Sequence, residues 1–315
     1  MLTVGVDVGG TSVRAGVVDP QGTVLEVRRT ATRRSTADLD AAVSGVVTDL
    51  ARKYTVAAVG LSVAGFVSED LRVVRFAPHL PWRGEAVADR LGERIGLPVV
   101  LDHDANAAGV AEHRHGAARD AGVAVLVALG TGIGGALLVD GQVYRGAHGV
   151  APELGHLRLV PQGRPCPCGK RGCWERYCSG TALVDVATEL LVDAPATPWA
   201  QRLRADPSVL TGVEVARAAR DGDSVALEAV AQLARWLGEG LALVADVYDP
   251  DVVVLAGGVS GSASLFLDDA VEHYTSAITG AGHRPVAAVR LAHFGDEAAI
   301  VGAAELARHH ADRSG

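Results

Sequence analysis

The chain has 315 residues, of which 49% are hydrophobic and 21% charged, and this balance is typical of a globular protein rather than a disordered one. Its formal net charge of −8 and its dispersed arginines do not suggest a nucleic-acid-binding surface, and no apolar run approaches the roughly 18–20 residues that span a bilayer. No basic segment precedes the first apolar stretch, so we expect no signal peptide and a cytoplasmic location.

Predicted strands and helices alternate along the first part of the chain. The predicted strands are Leu2–Val8, Val13–Asp19, Thr23–Arg29, Val56–Val63 and Val99–Leu101. The predicted helices are Asp38–Lys53, Val87–Ile95 and Ala107–His115. This alternation indicates a layered α/β architecture.

One glycine hairpin occurs twice in the sequence. Residues 8–19 and residues 129–140 each contain an apolar strand, a Gly/Thr turn and a second apolar strand, followed by a polar turn. Two copies of one hairpin, each at the start of an α/β lobe, predict a duplicated fold with a cleft between its two lobes. The alternative is a chance similarity between two apolar hairpins.

The remaining part of the chain is predicted to be mainly helical. Residues 192–207 are predicted to form a surface loop, because they are rich in proline. Predicted helices at Gly212–Arg220 and Ser224–Ala245 follow, then a strand at Val252–Leu255 and a last helix at Glu297–His310.

Three glycine-rich turns are candidate nucleotide-binding loops. Glycines let backbone N–H groups approach phosphate oxygens closely, and concave rows of N–H groups bind anions. The predicted nucleotide-binding residues are Asp7, Gly9, Gly10, Thr11 and Arg14 in the first turn, Gly130, Thr131 and Gly132 in the second, and Gly257 and Gly258 in the third. Plain tight turns are the alternative at each position. The two lysines, Lys53 and Lys170, do not lie in a GxxxxGK motif, which argues against a P-loop.

Asp104 is the candidate catalytic base. It follows the strand Val99–Leu101 and precedes a predicted helix, so its carboxylate can accept a proton from a sugar hydroxyl that attacks a γ-phosphate. The alternative is that Asp104 or Asn106 caps the helix.

A cluster of cysteines predicts a structural zinc site. All four cysteines lie within residues 166–178, whereas a secreted disulfide framework would spread them along the chain. The predicted ligands are His156, Cys166, Cys168 and Cys173, three thiolates and one imidazole in a tetrahedral set. A redox-active or inert cluster is the alternative. Cys178 is predicted to be a buried free thiol.

Two carboxylates flank this cluster in the sequence. Glu153 and Glu175 lie on either side of it, so a bound metal could fix the loop that presents both carboxylates to a polyol. His156 can serve the metal and a substrate together, because its two ring nitrogens are separate ligands.

Taken in order, these motifs resemble the ROK family of sugar kinases, regulators and related open-reading-frame products, and its bacterial glucokinase-like kinases in particular. The resemblance implies a two-lobed, actin-like (ribonuclease H-like) fold and an ATP-dependent hexose kinase that uses Mg²⁺ and forms a homodimer or homotetramer. It implies that Asp104 is the base, and that Gly65, Glu153, His156 and Glu175 contact the sugar. The first predicted strand begins at Leu2, so we do not expect the DNA-binding domain of the family's regulators, and we expect neither nucleic acid nor a membrane as a partner.

The resemblance also implies a division of the chain. Residues 1–118 would form the small lobe, with the helix 297–310 packing back on it, and residues 119–296 would form the large lobe, with the zinc knuckle at 156–178.

The sequence departs from this family at His103, where the usual residue is an asparagine that binds the sugar near its 3-hydroxyl. Pro152, just before Glu153 in the predicted sugar site, stands where glucokinases of this type often have glycine. One interpretation is neutral drift. The other is a changed sugar 3-position, such as the amine of 3-amino-3-deoxyglucose (kanosamine), read by His103. An N-acetylhexosamine kinase, a polyphosphate-dependent kinase and a non-catalytic sugar sensor are further alternatives.

Overall fold

The computed structural model describes residues 1–192 and 197–314. The chain divides into two compact units. The first unit contains residues 1–126, 136–152 and 292–315, and the second contains residues 127–135 and 153–291.

The boundaries between the units differ from the predicted ones. The prediction divided the chain after residues 118 and 296, whereas the structure assigns residues 136–152 to the first unit. Arg145 explains part of this difference, because its guanidinium pairs with the buried carboxylate of Asp102 in the first unit.

The chain forms thirteen strands and nine α-helices within the described residues. The strands are β1 (Leu2–Val8), β2 (Ser12–Val18), β3 (Val24–Ala31), β4 (Val56–Val63), β5 (Phe66–Val67), β6 (Val74–Phe76), β7 (Arg83–Glu85), β8 (Val99–His103), β9 (Val123–Leu129), β10 (Ile133–Val139), β11 (Gln142–Val143), β12 (Val252–Ala256) and β13 (Ala288–Leu291). The helices are α1 (Thr36–Ala51), α2 (Val87–Ile95), α3 (Asp104–His115), α4 (Gly180–Val192), α5 (Pro198–Ala205), α6 (Gly212–Arg220), α7 (Ser224–Tyr248), α8 (Leu267–Ala277) and α9 (Ala298–Ser314). None of these helices combines the length and the apolar character that a membrane span needs.

Two five-stranded sheets share one strand order. The first has the order β3-β2-β1-β4-β8, and the second has the order β11-β10-β9-β12-β13. In the first sheet β1 is antiparallel to β2 and parallel to β4, and in the second sheet β12 is parallel to β13. Each strand of one sheet therefore has a counterpart at the same place in the other. The duplicated α/β fold predicted from the two glycine hairpins is confirmed.

Helix α9 packs closely against the first sheet. Strands β1 and β4 are rich in valine and almost entirely buried, as expected for central strands covered on both faces. A Cβ added at Gly60 in β4 would lie 1.9 Å from the carbonyl oxygen of Ala303 in α9, and one added at Gly302 would lie 1.6 Å from that of Ala107 in α3. Glycine at these two positions lets the backbones of the strand and both helices approach each other.

The predicted surface loop at residues 192–207 is wrong for its second half. Residues 193–196 lie outside the described residues, and Pro198–Ala205 forms α5. The hydroxyl of Thr197 accepts a hydrogen bond from the amide of Ala200, and Pro198 occupies the first turn, where its missing N–H costs nothing. The proline that suggested a loop therefore marks the start of a helix.

Candidate active site and metal centre

The first predicted phosphate loop is a tight turn between β1 and β2. The amide of Gly9 donates to the carbonyl oxygen of Ser12 at 3.1 Å, and the hydroxyl of Thr32 donates to the carbonyl oxygen of Gly9 at 2.6 Å. A Cβ added at Gly10 would lie 2.9 Å from the Cβ of His79, so this position tolerates little more than glycine. Hydrogen bonds from Gly9 to Ser12 and from Thr32 to Gly9 therefore hold the turn. Its backbone also lies close to His79.

Asp7 and Arg14 form an ion pair beside this loop. Nη2 of Arg14 donates to Oδ2 of Asp7 at 2.7 Å, and Nε donates to the same oxygen at 3.2 Å. Burial raises the pKa of Asp7, the guanidinium of Arg14 opposes that rise, and the negative charge of Asp104 adds to it. The carboxylates of Asp7 and Asp104 therefore interact electrostatically.

Asp104 is the first residue of α3, three residues earlier than predicted for this helix. His103 occupies the N-cap position and its side chain makes no capping bond, so neither Asp104 nor Asn106 is the cap. The Oδ1 atom of Asp104 accepts a hydrogen bond from the amide of Ala105 at 2.7 Å and lies 3.1 Å from Nε2 of His103. The side chain of Asp104 is 44% exposed, so its carboxylate remains accessible to a ligand.

A buried ion pair that the sequence did not reveal supports this end of β8. The side chain of Asp102 is 1% exposed, and its Oδ2 accepts from Nε of Arg145 at 3.1 Å and from Nη2 more closely. Its Oδ1 accepts from the amide of His103 at 2.8 Å and from Nδ2 of Asn106 at 2.7 Å. Asp102 therefore fixes both the backbone before Asp104 and the first turn of α3.

Gly65 lies just after β4 in the first unit. Its amide donates to the carbonyl oxygen of Val63 at 2.9 Å, and a Cβ added there would lie 2.4 Å from the carbonyl oxygen of Phe76. The close approach of this backbone explains why glycine stands at the position.

In the second unit, the four predicted zinc ligands lie together. Their donor atoms are all within 4.8 Å of one another, with 3.6 Å between the sulfurs of Cys168 and Cys173 and 3.7 Å between Sγ of Cys166 and Nδ1 of His156. Zn–S bonds of about 2.3 Å and Zn–N bonds of about 2.0–2.1 Å give tetrahedral edges of roughly 3.5–3.8 Å. These two pairs therefore already have the spacing that a zinc ion requires, and the residues fit this metal.

Local backbone structure holds the knuckle in shape. Short β-bridges pair Arg158 with Cys173 and Pro165 with Arg171, and the amide of Cys166 donates to the carbonyl oxygen of Lys170 at 2.9 Å. The fourth cysteine, Cys178, lies fully buried outside the cluster, and burial raises the pKa of its thiol. Cys178 is thus a buried thiol, as its omission from the ligand set predicted.

The three predicted sugar-binding residues of the second unit lie close together, with His156 between Glu175 and Glu153. Its Nδ1 is 3.5 Å from Oε1 of Glu175, and its Nε2 is 3.9 Å from Oε2 of Glu153. Oε2 of Glu175 also lies so near the backbone of Gly132 that a Cβ there would come within 2.5 Å of it. Glu175 therefore lies between the cysteine cluster and the second glycine loop.

The second and third glycine turns line one cavity of about 690 Å³ in the second unit. Gly130, Thr131 and Gly258 form part of its wall, and a Cβ added at Gly257 would lie 2.4 Å from the carbonyl oxygen of Leu129. The rest of the wall is mostly apolar and includes Leu183, Val184, Leu210, Val230, Leu233 and Phe266. A mostly apolar cavity with a few polar groups at its edge has the character of a small-molecule site. The sequence analysis predicted the glycine turns of this cavity but not its apolar lining residues.

A model of the ROK family matches residues 3–310 of this sequence. The chain belongs to the ROK family. It is 40% identical over 312 residues to the glucokinase of Streptomyces coelicolor, with 98% of each chain covered. Its fold is the two-lobed, actin-like α/β fold of ROK sugar kinases.

Two solved ROK structures resemble it over almost their full length. One is a ROK family glucokinase from Streptomyces griseus in complex with glucose and AMPPNP, with a TM-score of 0.85 and 41% identity over 98% of this chain and 100% of that one. The other is a ROK hexokinase from Thermus thermophilus, with a TM-score of 0.81 and 32% identity over 100% of both chains.

Proposed function

We propose that this ROK-family chain is an ATP-dependent kinase that phosphorylates the 6-hydroxyl of glucose. The observation that carries the proposal is its full-length similarity to proteins named glucokinase, one of which was crystallised with glucose and an ATP analogue. The first glycine loop, the accessible Asp104 and the mostly apolar cavity beside the other two glycine turns are the parts that such a reaction needs.

Asp104 acts as the general base in this mechanism. The contacts of Asp104 with Ala105 and His103 both use Oδ1, and Oδ2 can accept the proton of the sugar hydroxyl. As O6 attacks the γ-phosphorus, its proton passes to Asp104, the new O6–P bond forms, and the bond from the γ-phosphorus to the leaving oxygen breaks with its electrons going to ADP. Since this transfer needs little covalent help from the protein, orientation of O6 is the main contribution of Asp104.

The glycine loops and Arg14 bind the phosphate groups of ATP. Their backbone N–H groups and the guanidinium are donors for phosphate oxygens. Asp7 would hold Mg²⁺, because a carboxylate oxygen is a ligand that this ion prefers and the ion pair with Arg14 uses Oδ2. A Mg²⁺ ion held there would neutralise part of the charge on the phosphate oxygens.

The sugar is bound by Glu153, His156 and Glu175. His156 directs Nδ1 towards the sulfur of Cys166, so its Nε2 is available to a sugar hydroxyl beside Glu153. A zinc ion held by His156 and the three clustered cysteines would fix the ring in this orientation and hold Glu175 beside it.

The test is the turnover of Asp104→Asn with ATP and glucose, compared with Asp49→Asn, which changes an exposed carboxylate of α1. Loss of the base is expected to lower kcat by about 10²–10⁴-fold, with a smaller change in glucose affinity because an amide still accepts a hydrogen bond. Coupled assays that detect ADP and glucose 6-phosphate measure both products of the reaction.

Two outcomes of this experiment would contradict the proposal. If Asp104→Asn kept more than about a tenth of wild-type turnover, which corresponds to only ~1.4 kcal/mol of barrier, Asp104 would not be the base. If the wild-type protein bound ATP and glucose but formed no ADP with any hexose, it would be a sugar sensor.

The surroundings of His103 are compatible with 3-amino-3-deoxyglucose as a second candidate substrate. Nε2 of His103 lies 3.1 Å from a carboxylate oxygen of Asp104, and a carboxylate only accepts hydrogen bonds. Nε2 therefore carries the hydrogen in the neutral ring, and Nδ1 is left as an acceptor for an N–H group at the sugar 3-position.

The ratio of kcat/KM for the 3-amino sugar to kcat/KM for glucose tests this candidate. His103→Asn is expected to lower the ratio, because the amide offers donors as well as an acceptor. An unchanged ratio would mean that His103 does not read the 3-position. N-acetylhexosamines and mannose belong in the same substrate series.

A further inference from the structure

A row of charged side chains crosses the first sheet beside the phosphate loop. Asp7 of β1 is paired directly with Arg14 of β2, and Arg14 is paired directly with Arg29 of β3. Directly opposed residues of neighbouring strands have their side chains on the same face of the sheet. Arg29, Arg14 and Asp7 therefore lie side by side on one face.

The charges in this row do not balance. Arg14 forms its ion pair with Asp7 at 2.7 Å, so the carboxylate of the row is already used. Nη2 of Arg29 donates to the hydroxyl of Ser12 at 3.3 Å, and within residues 1–192 and 197–314 no carboxylate lies at ion-pair distance from it. Like charges directly opposite each other destabilise a sheet. The stability of the fold therefore does not explain why arginine occupies both positions.

Arg29 is also tied to the phosphate loop by its neighbours. Thr32, which follows β3, donates its hydroxyl to the carbonyl oxygen of Gly9 at 2.6 Å and its amide to that of Thr11 at 3.1 Å. Ser12, the partner of Arg29, directly follows Thr11 in the chain. The loop and the guanidinium of Arg29 are therefore neighbours, and both offer N–H donors to an anion.

We propose that Arg29 is a second phosphate-binding arginine, which contacts the terminal phosphates of the nucleotide together with the first glycine loop. Guanidinium N–H groups form charge-assisted hydrogen bonds to phosphate oxygens in a planar fork. The anionic phosphates also remove the repulsion between Arg29 and Arg14. This assignment rests on the proposed function, because it adds a residue to the ATP site of that kinase.

Arg28 provides a matched control on the same strand. It is adjacent to Arg29, so its side chain lies on the opposite face, and it forms an ion pair with Glu26 at 2.5 Å. Both arginines are exposed, so glutamine at either position is expected to leave the fold intact, which thermal unfolding checks.

The experiment measures binding of ATP, ADP and tripolyphosphate by calorimetry to the full chain and its Arg29→Gln, Arg29→Lys and Arg28→Gln variants. Arg29→Gln is expected to weaken ATP and tripolyphosphate binding about tenfold and ADP binding less, as suits a charged hydrogen bond at an exposed site. Arg29→Lys is expected to recover part of the loss, and Arg28→Gln to stay within about twofold of wild type.

Equal affinities for Arg29→Gln and Arg28→Gln would overturn the proposal, and so would an Arg29→Gln loss as large for ADP as for ATP. The binding measurement needs no sugar and no turnover. A wild-type protein that binds ATP but phosphorylates no hexose would therefore refute the proposed function while leaving the role of Arg29 open to the same comparison of variants.

Discussion

Replacing Arg145 with methionine is expected to destabilise the first unit through Asp102. In the wild-type protein the side chain of Asp102 is 1% exposed and that of Arg145 is 22% exposed. Arg145→Met removes both guanidinium donors from Oδ2, while Oδ1 keeps its bonds from the amide of His103 and from Nδ2 of Asn106. One oxygen of a buried carboxylate is then left without a partner.

The size of the effect follows from this partial loss. Removing one partner of a buried ion pair costs about 3–5 kcal/mol. Two hydrogen bonds remain and water can reach the vacated, partly exposed position of Arg145, so we expect a loss of about 2–3 kcal/mol in the free energy of unfolding. Asp102→Asn alone removes the charge and leaves the partly exposed Arg145 hydrated, so its expected cost is smaller, about 1 kcal/mol.

Urea unfolding of the wild type, Arg145→Met, Asp102→Asn and the variant with both changes completes a double-mutant cycle. The double variant is expected to be more stable than Arg145→Met alone by at least about 1 kcal/mol, because it no longer buries an unpaired charge. A loss below about 0.5 kcal/mol in Arg145→Met, or a double variant that equals the sum of the single ones, would refute this reasoning.

Two further predictions concern the metal and the phosphate-loop carboxylate. The purified protein is expected to contain about one zinc per chain by elemental analysis, and Cys168→Ser to weaken glucose binding by loosening His156 and Glu175; an active enzyme without zinc would refute that role. Burial raises the pKa of Asp7 above its ordinary value of 3.8, so the folded state binds this proton more tightly than the unfolded chain, and the stability that Asp7 contributes falls as pH rises through that range. Asp7→Asn, which resembles the protonated form, is therefore expected to be at least as stable as wild type in urea unfolding at pH 7 while losing most kinase activity, and a clearly less stable variant would contradict this.

The sequence predicts those features whose causes lie close together in the chain. Helix α2 has its predicted bounds, since Gly96 adopts a left-handed conformation with φ of 77° and ends it. The sequence predicts the candidate metal-binding cluster because His156 and Cys173 lie within one short segment. The clustering of four strong metal-ligand residues there is itself the signal.

Features that depend on distant residues were missed. The start of α3 at Asp104 was placed too late, because Asn106 is held in the helix by its bond to Asp102, and Asp102 is held in turn by Arg145. No periodicity or motif connects residues 102 and 145. The unbalanced charge of Arg29 likewise becomes visible only when the register of β2 and β3 is known.

The packing of α9 on β1 and β4 has a consequence for synthesis on the ribosome. The second unit is complete once residue 291 has been made, whereas the first unit includes residues 292–315. Until α9 emerges, the valine-rich strands β1 and β4 lack the helix that fits against Gly60, and their apolar face is open to solvent or to chaperones. The half of the protein that is translated first is therefore the half that finishes folding last, and nascent chains stalled before residue 298 should expose that face.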